Sequence, residues 1–215
     1  PWSATDFARE IAAFDALVPV EGWPDAVLSN HDVPRHATRY DDPMLGDERA
    51  RVAAMLLLTL RGTPFLYYGE EIGMRNVEVP REQMRDPLAL TLHPSLSRDP
   101  ERTPMHWSAE PGAGFTRGTP WLPIGADVAK RNAATLREDR DSLLWLYRDL
   151  IELRRATPAL ERGSFRPLPA PDGVLAWERI CGDSRAIVAL NFGAEPRSAG
   201  LASARVSGGL RTRRG

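Results

Sequence analysis

The sequence predicts an α/β chain, with helices alternating with strands of a parallel sheet, followed by a short region of β-type runs. Three observations carry this. From Ser3 to Tyr68 the order is helix, strand, polar loop, helix, strand, and strands that alternate with helices imply βα units. After Pro158 the texture changes to short β-type segments. The residues richest in chemistry follow the first strand directly.

The first helix is expected over Ser3–Val18. Phe7, Ile11, Phe14 and Leu17 follow the three-to-four spacing of one apolar face. Ser3 is the candidate N-cap, Asp6 suits the first turn, and Pro19 ends the segment. Asp25 to Asn30 is apolar in its middle and bounded by Pro24 and a polar cluster, so it reads as a buried strand. Gly46 to Arg61 reads as a long helix, nearly all apolar in its second half, closed by Gly62. Pro64 to Tyr68 reads as a second short strand stopped by Gly69.

Residues 69 to about 126 hold no clean period and carry many Pro and Gly residues. A stretch of that length without regular structure is uncommon unless it is functional. Asp127 to Ala156 is helical again, in two pieces broken near Arg140-Asp141, the second with Leu143, Leu144, Tyr147, Leu150, Ile151 and Leu153 on a broad apolar face. Leu175–Ile180 and Ala186–Phe192 are β-type runs around Gly182-Asp183-Ser184, which predicts a hairpin. A domain boundary is expected near residue 161, giving domains 1–160 and 161–215. The Gly- and Arg-rich tail from Ser207 to Gly215 has no hydrophobic pattern, and the reading finds no internal repeat.

Composition excludes several classes. Of 215 residues, 42% are hydrophobic and 27% charged, which suits a globular chain with a real core. The formal net charge is −1, so no electrostatic case exists for nucleic acid or an anionic membrane as partner. Lys130 is the single lysine, which reads as an Arg-rich bias. With one cysteine, Cys181, no intrachain disulfide can form. No apolar run approaches the roughly 20 residues needed to span a bilayer. No signal peptide is visible, and a cytoplasmic location is the default expectation. The chain starts at Pro1, so a natural N-terminus is expected upstream of it.

The strongest chemical signal is Asn30-His31-Asp32-Val33-Pro34-Arg35 at the end of a strand. An Asp beside a His and three residues before an Arg is a costly cluster to bury without purpose. On its own the tripeptide Asn30-His31-Asp32 reads equally well as a turn or cap. His36, His93 and His106 show no metal-like spacing, so no metal site and no cofactor are expected. Trp23, Trp107 and Trp121 are candidates for stacking on a ligand, although loop aromatics are more often packed.

Several stretches together resemble the α-amylase family of glycoside hydrolases. Asn30-His31-Asp32 is similar to the motif after that family's seventh barrel strand. Arg61 to Met74 resembles its eighth strand and the following loop. Arg98-Asp99-Pro100 through Arg102-Thr103-Pro104-Met105-His106-Trp107 resembles a stretch of its α-glucosidase and oligo-1,6-glucosidase branch, with Ser97 where that branch usually has Gly. Asp141 to Arg155 resembles the last barrel helix, and Asn191-Phe192 a strand of the C-terminal β domain. The motifs agree in order along nearly the whole chain, to about residue 205.

The resemblance implies the C-terminal part of a (β/α)8 TIM barrel over residues 1–160, then a truncated C-terminal antiparallel β domain. In such barrels the catalytic residues sit at the C-terminal ends of strands. It implies that Asp32 stabilises an oxocarbenium-like transition state, a form of electrostatic catalysis. It also implies that His31 and Arg98 bind the sugar, while Arg35 either lines the pocket or pairs with a carboxylate. Asn30 and Glu70 are assigned structural hydrogen bonding. The implied substrate is an α-linked gluco-oligosaccharide. A retaining glycosidase also needs a nucleophile and an acid/base about 5–5.5 Å apart. In this family those follow earlier strands, and no G-x-R-x-D pattern precedes Asn30. The expectation is a fragment of a retaining α-glucosidase, inactive alone, that needs the missing N-terminal barrel half. Two alternatives stand beside it: a trehalose- or isomaltulose-synthase-type transglycosylase, and a non-catalytic sugar-binding or partner subunit.

Overall fold

The computed structural model describes residues 1–19 and 21–199; the expected unpatterned tail, Ser207 to Gly215, lies outside the described residues. In chain order the helices are α1 (Ala4–Leu17), α2 (His36–Arg39), α3 (Gly46–Thr59), α4 (Pro87–Thr91), α5 (Ala133–Glu138), α6 (Leu143–Ala156) and α7 (Pro158–Arg162). The strands are β1 (Asp25–Val27), β2 (Thr63–Phe65), β3 (Ser164–Leu168), β4 (Val174–Cys181) and β5 (Ser184–Asn191). β1 and β2 are neighbours in a two-stranded sheet, and β3–β4–β5 form a second sheet in that order. The chain divides into two compact units that interleave in sequence. One holds residues 1–26, 42–65 and 148 onward; the other holds 27–41 and 66–147.

The first unit is built on an antiparallel sheet covered by helices. Trp177 faces Val188 across the strands and Leu175 faces Leu190, so these four share one face of the pleat. They form a core with Ala4 of α1, Val52 and Leu56 of α3, and Leu160 of α7. Ser3 caps α1 as expected, its hydroxyl accepting from the Asp6 N–H at 3.2 Å. Only part of the α1 apolar face is covered. Phe7 and Ile11 pack on this core, but Phe14 and Leu17 are 51% and 80% exposed.

The C-terminal end of α3 leaves carbonyls without helical partners. Two buried arginines take them. Arg179 donates to Thr59 O at 2.8 Å, and Arg154 donates to Leu58 O at 2.8 Å and Leu60 O at 3.0 Å. Their positive charge also suits the negative end of the helix dipole. Burial, with Arg154 and Arg61 nearby, pushes the Arg179 guanidinium down to about 10. On the opposite face of β4, Glu178 is covered by Arg166 and Arg185, both of which bond its carboxylate.

Gly62 does not close α3, which ends at Thr59. It sits further on with φ +118, and a Cβ there would lie 2.4 Å from Pro24 O. Glycine is needed for close approach, because the Thr63 N–H bonds that same carbonyl at 2.9 Å. The strands around it are shorter than expected and not buried: Val27 is 51% and Phe65 53% exposed. A two-stranded sheet covers little of its own side chains.

The hairpin forms as expected. Cys181 pairs Ser184 across the two-residue turn Gly182-Asp183, with Gly182 at φ +56. β3 was not anticipated. It is an edge strand carrying Pro167, whose missing N–H is tolerated only at an edge.

The second unit is dominated by the long irregular stretch, broken into short 3-10 turns and α4. Ile72, Met74, Met105 and Ala133 form its small core, with Leu136 and Leu144 packed against it. The helical break is at Asp139–Ser142, and the Asn132 side chain caps α5 by accepting from Thr135 N–H at 2.8 Å.

Candidate active site

His31, Asp32, Arg35 and Arg98 all belong to the second unit, while Trp23, a stacking candidate, belongs to the first. The segment after β1 turns sharply at Asn30. Its side-chain oxygen accepts from the Asp32 N–H at 2.8 Å and the Val33 N–H at 3.0 Å, and Asn30 bridges to Val33. An Asx turn of this kind replaces a backbone turn and points the next side chains outward. His31 and Asp32 are accordingly exposed, their side chains 67% and 48% accessible, with His31 Nε2 3.3 Å from Asp32 Oδ2.

Arg98 reaches the same carboxylate. Its Nη1 donates to Asp32 Oδ1 at 2.8 Å. The rest of its guanidinium is gripped by Asp86, with Nε on Oδ2 at 2.7 Å and Nη2 on Oδ1 at 3.0 Å. Such a bidentate fork fixes an arginine in direction as well as in charge. The Arg98 N–H also bonds Asp86 Oδ2, at 2.8 Å. Asp99 returns the favour by accepting the Arg85 and Asp86 N–H groups at 2.6 and 3.0 Å. Two Arg-Asp-Pro tripeptides, 85–87 and 98–100, therefore brace each other, each carboxylate bonding the other's backbone.

A fourth residue completes the group. Arg102 Nε donates to His31 O at 2.7 Å, and its Nη2 donates to Asp32 Oδ1 at 3.1 Å. The Arg98 hydrogen bond is the main reason the Asp32 carboxyl lies below its ordinary value, helped by the charges of His31, Arg98 and Arg102 against the opposing effect of burial. The same Arg98 bonds hold the Asp86 carboxyl well below the usual carboxylate range. Asp86 in turn raises the Arg98 guanidinium. The result is an ionised, half-exposed carboxylate with one oxygen held by two guanidinium groups. Its other oxygen lies beside an exposed imidazole. This arrangement can face a developing cation and accept hydroxyl protons.

The structure brings His31, Asp32 and Arg98 together, but it places Arg35 elsewhere. Arg35 is 1% exposed, so its guanidinium does not face solvent. It donates to Tyr68 O at 2.6 Å and Glu101 O at 2.9 Å and lies over the rings of Tyr67 and Tyr68. Of the two roles open to it in the sequence, that of lining an accessible pocket does not match this geometry. Here it ties three loop segments together. Burial lowers its pKa.

Glu70, assigned a structural role, is buried with an oxygen 3.3 Å from His36 Nδ1, and His36 also contacts Ser29 Oγ at 3.2 Å. His106 sits between Arg131 O and the Gly125 N–H, and burial lowers its pKa. Among the described residues, no three His, Cys, Asp or Glu side chains lie together as a metal site would require. No helix among them is long and apolar enough to cross a membrane.

Sequence reading missed Asp86 and gave Arg102 no role. The repeated Arg-Asp-Pro tripeptide was the available signal for the first. Nothing local distinguishes Arg102, whose partners are 70 and 71 residues away.

Comparison with known proteins identifies the family. Residues 1–163 match the family described as alpha amylase, catalytic domain. The chain is 32% identical over 213 residues to the oligo-1,6-glucosidase of Parageobacillus thermoglucosidasius, covering 89% of this chain and 38% of that protein. It is 35% identical over 190 residues to a probable alpha-glucosidase of Rhizobium meliloti (strain 1021), covering 87% and 34%. The chain thus spans little more than a third of the length of these relatives. Among solved structures it resembles the alpha-glucosyl transfer enzyme XgtA, with TM-score 0.84 and 36% identity over 91% of this chain and 36% of that one. It also resembles the trehalulose synthase MutB from Pseudomonas mesoacidophila MX-45, with TM-score 0.81 and 34% identity over 92% and 39%.

Proposed function

Since the chain belongs to the α-amylase catalytic-domain family, whose relatives here are glycosidases, we propose that it forms part of a retaining α-glucosidase acting on small α-linked gluco-oligosaccharides. The observation that carries this reading is the Asp32 carboxylate held ionised by Arg98 beside His31. In this reading residues 1–160 are the C-terminal part of a (β/α)8 barrel and residues 161–215 belong to a C-terminal β domain. The family match, which ends at residue 163, supports that division, as does the start of the antiparallel sheet at Ser164.

Asp32 acts as the fixed negative charge beside the oxocarbenium-like centre, and its value is greatest when the charge is preorganised. His31 and Arg98 bind hydroxyls of the same sugar. The nucleophile and the acid/base come from upstream barrel strands outside residues 1–215. The upstream half of the barrel is therefore required for turnover.

The test is glucose release from isomaltose. Residues 1–215 alone should show none above blank, and the full gene product should lose at least about a hundredfold in kcat on Asp32→Asn. Clear turnover by the 215-residue chain that disappears in Asp32→Asn would sink the fragment reading. A second reading, transglycosylation, is favoured by the likeness to XgtA and MutB. Sucrose converted to an isomeric disaccharide, rather than to glucose and fructose, would select it.

A further inference from the structure

We infer that Arg102 is a positioning residue for Asp32, locking the loop that carries it and dedicating Oδ1 so that Oδ2 is the oxygen presented to ligand. The inference rests on the reading of Asp32 as the transition-state carboxylate.

It stands on a difference between the two arginines that meet at Oδ1. Arg98 has other partners: both oxygens of the buried Asp86 bind its Nε and Nη2. Its Nη1 can leave Asp32 for a sugar hydroxyl without stranding the guanidinium. Arg102 has no comparable anchor among the described residues. Its side-chain contacts are His31 O at 2.7 Å and Asp32 Oδ1 at 3.1 Å, both on the loop it restrains. It is also the less accessible of the two, at 20% against 30%. A guanidinium fork that spans a backbone carbonyl and the next residue's carboxylate restrains the loop torsion and the side-chain rotamer together. The Asx turn at Asn30 restrains the same loop through the Asp32 and Val33 N–H groups. With Oδ1 taken by two donors, the oxygen left with room for ligand is Oδ2, on the His31 side. A misplacement of about 1 Å at a catalytic group costs on the order of a hundredfold in rate.

Two measurements test this. In the 215-residue chain, Arg102→Gln should raise the midpoint of the Asp32 carboxyl titration, followed by carbon NMR; an unchanged midpoint overturns the inference. In the full, active gene product, Arg102→Gln should lower kcat by about tenfold or more with KM within about threefold. It should also move the acid limb of kcat/KM to higher pH. Arg102→Lys, which keeps the charge and one donor, should recover part of the loss. Equal losses in Lys and Gln together with a lowered Tm would mark Arg102 as structural only and overturn the inference. If the Gln variant does not fold, the Lys variant decides by its kcat and acid limb. Asp32→Asn in the same background separates the two ideas. If it leaves turnover within about twofold, the reading of Asp32 fails and takes this inference with it. If it abolishes turnover while Arg102→Gln changes neither kcat nor the pH limb, the inference alone fails.

Discussion

At the scale of single residues, the candidate site is an exercise in keeping carboxylates charged. Asp86 is buried, yet it stays ionised because Arg98 and two backbone N–H groups donate to it. Its folded pKa lies below the unfolded value of about 3.9, so the unfolded chain binds the proton first as pH falls. The stability it contributes is therefore present above about pH 4 and lost below it, toward the lower folded value. Asp86→Asn should cost on the order of 2 kcal/mol at neutral pH, discounted because Arg98 is partly exposed, and should flatten the acid dependence of stability. Urea melts at pH 7 and near pH 3 check both; equal losses at the two pH values would contradict the assignment. Asp32 and His31 were legible because a strand end concentrates chemistry into neighbouring positions, whereas Arg98, 66 residues further on, was reached only through the family resemblance. Asp86 and Arg102 were missed for the opposite reason: they act across 12 and 70 residues through a stretch with no period, where a repeated Arg-Asp-Pro tripeptide was the one signal, and for Asp86 only. Arg35 is close to Asp32 in sequence, yet its side chain is buried over Tyr67 and Tyr68, because sequence proximity does not set which way a side chain turns after Pro34.

Elements whose boundaries are written in local chemistry were legible. Ser3 and the Gly182 turn marked one helix start and one hairpin, whereas the second helical block was expected from Asp127 and begins at Ala133, after the Asn132 cap that the sequence reading did not use. Strand lengths were not, because β1 and β2 depend on neighbours rather than on their own residues. The end of α3 illustrates the same point. Its termination looked like a glycine cap but is made by Arg154 and Arg179, drawn from α6 and β4. Arg179→Met should destabilise by about 3 kcal/mol, since it strips a cap from buried carbonyls. Gly62→Ala should cost about 2–4 kcal/mol, because both its φ and the approach of Pro24 O exclude a Cβ. Thermal melts of each variant against the parent chain check these values. A Gly62→Ala chain as stable as the parent would mean the backbone relaxes there.

At the scale of the whole molecule, the chain spans little more than a third of its relatives' length, and about nine-tenths of it matches part of a solved structure of 36% identity. The two-stranded sheet keeps Val27 and Phe65 exposed, and a sheet this small has open edges that attract other strands. The 215-residue chain should therefore self-associate as its concentration rises, read by sedimentation velocity. On the proposed function, adding the upstream barrel half as a separate polypeptide should suppress that association and give glucose release. A monomer at every concentration would argue that these surfaces need no cover.

Trp177 offers a way to watch all of this. It is 0% exposed in the core of the first unit, while Trp23, Trp107 and Trp121 are each about half exposed. Its indole emission should be blue-shifted and protected from acrylamide, whereas those three are quenched. The tryptophan spectrum thus contains an internal contrast: Trp177 is shielded, Trp2 and Trp145 are partly buried, and the other three are solvated. Loss of the shielded component would time the opening of the β3–β5 core without any added dye.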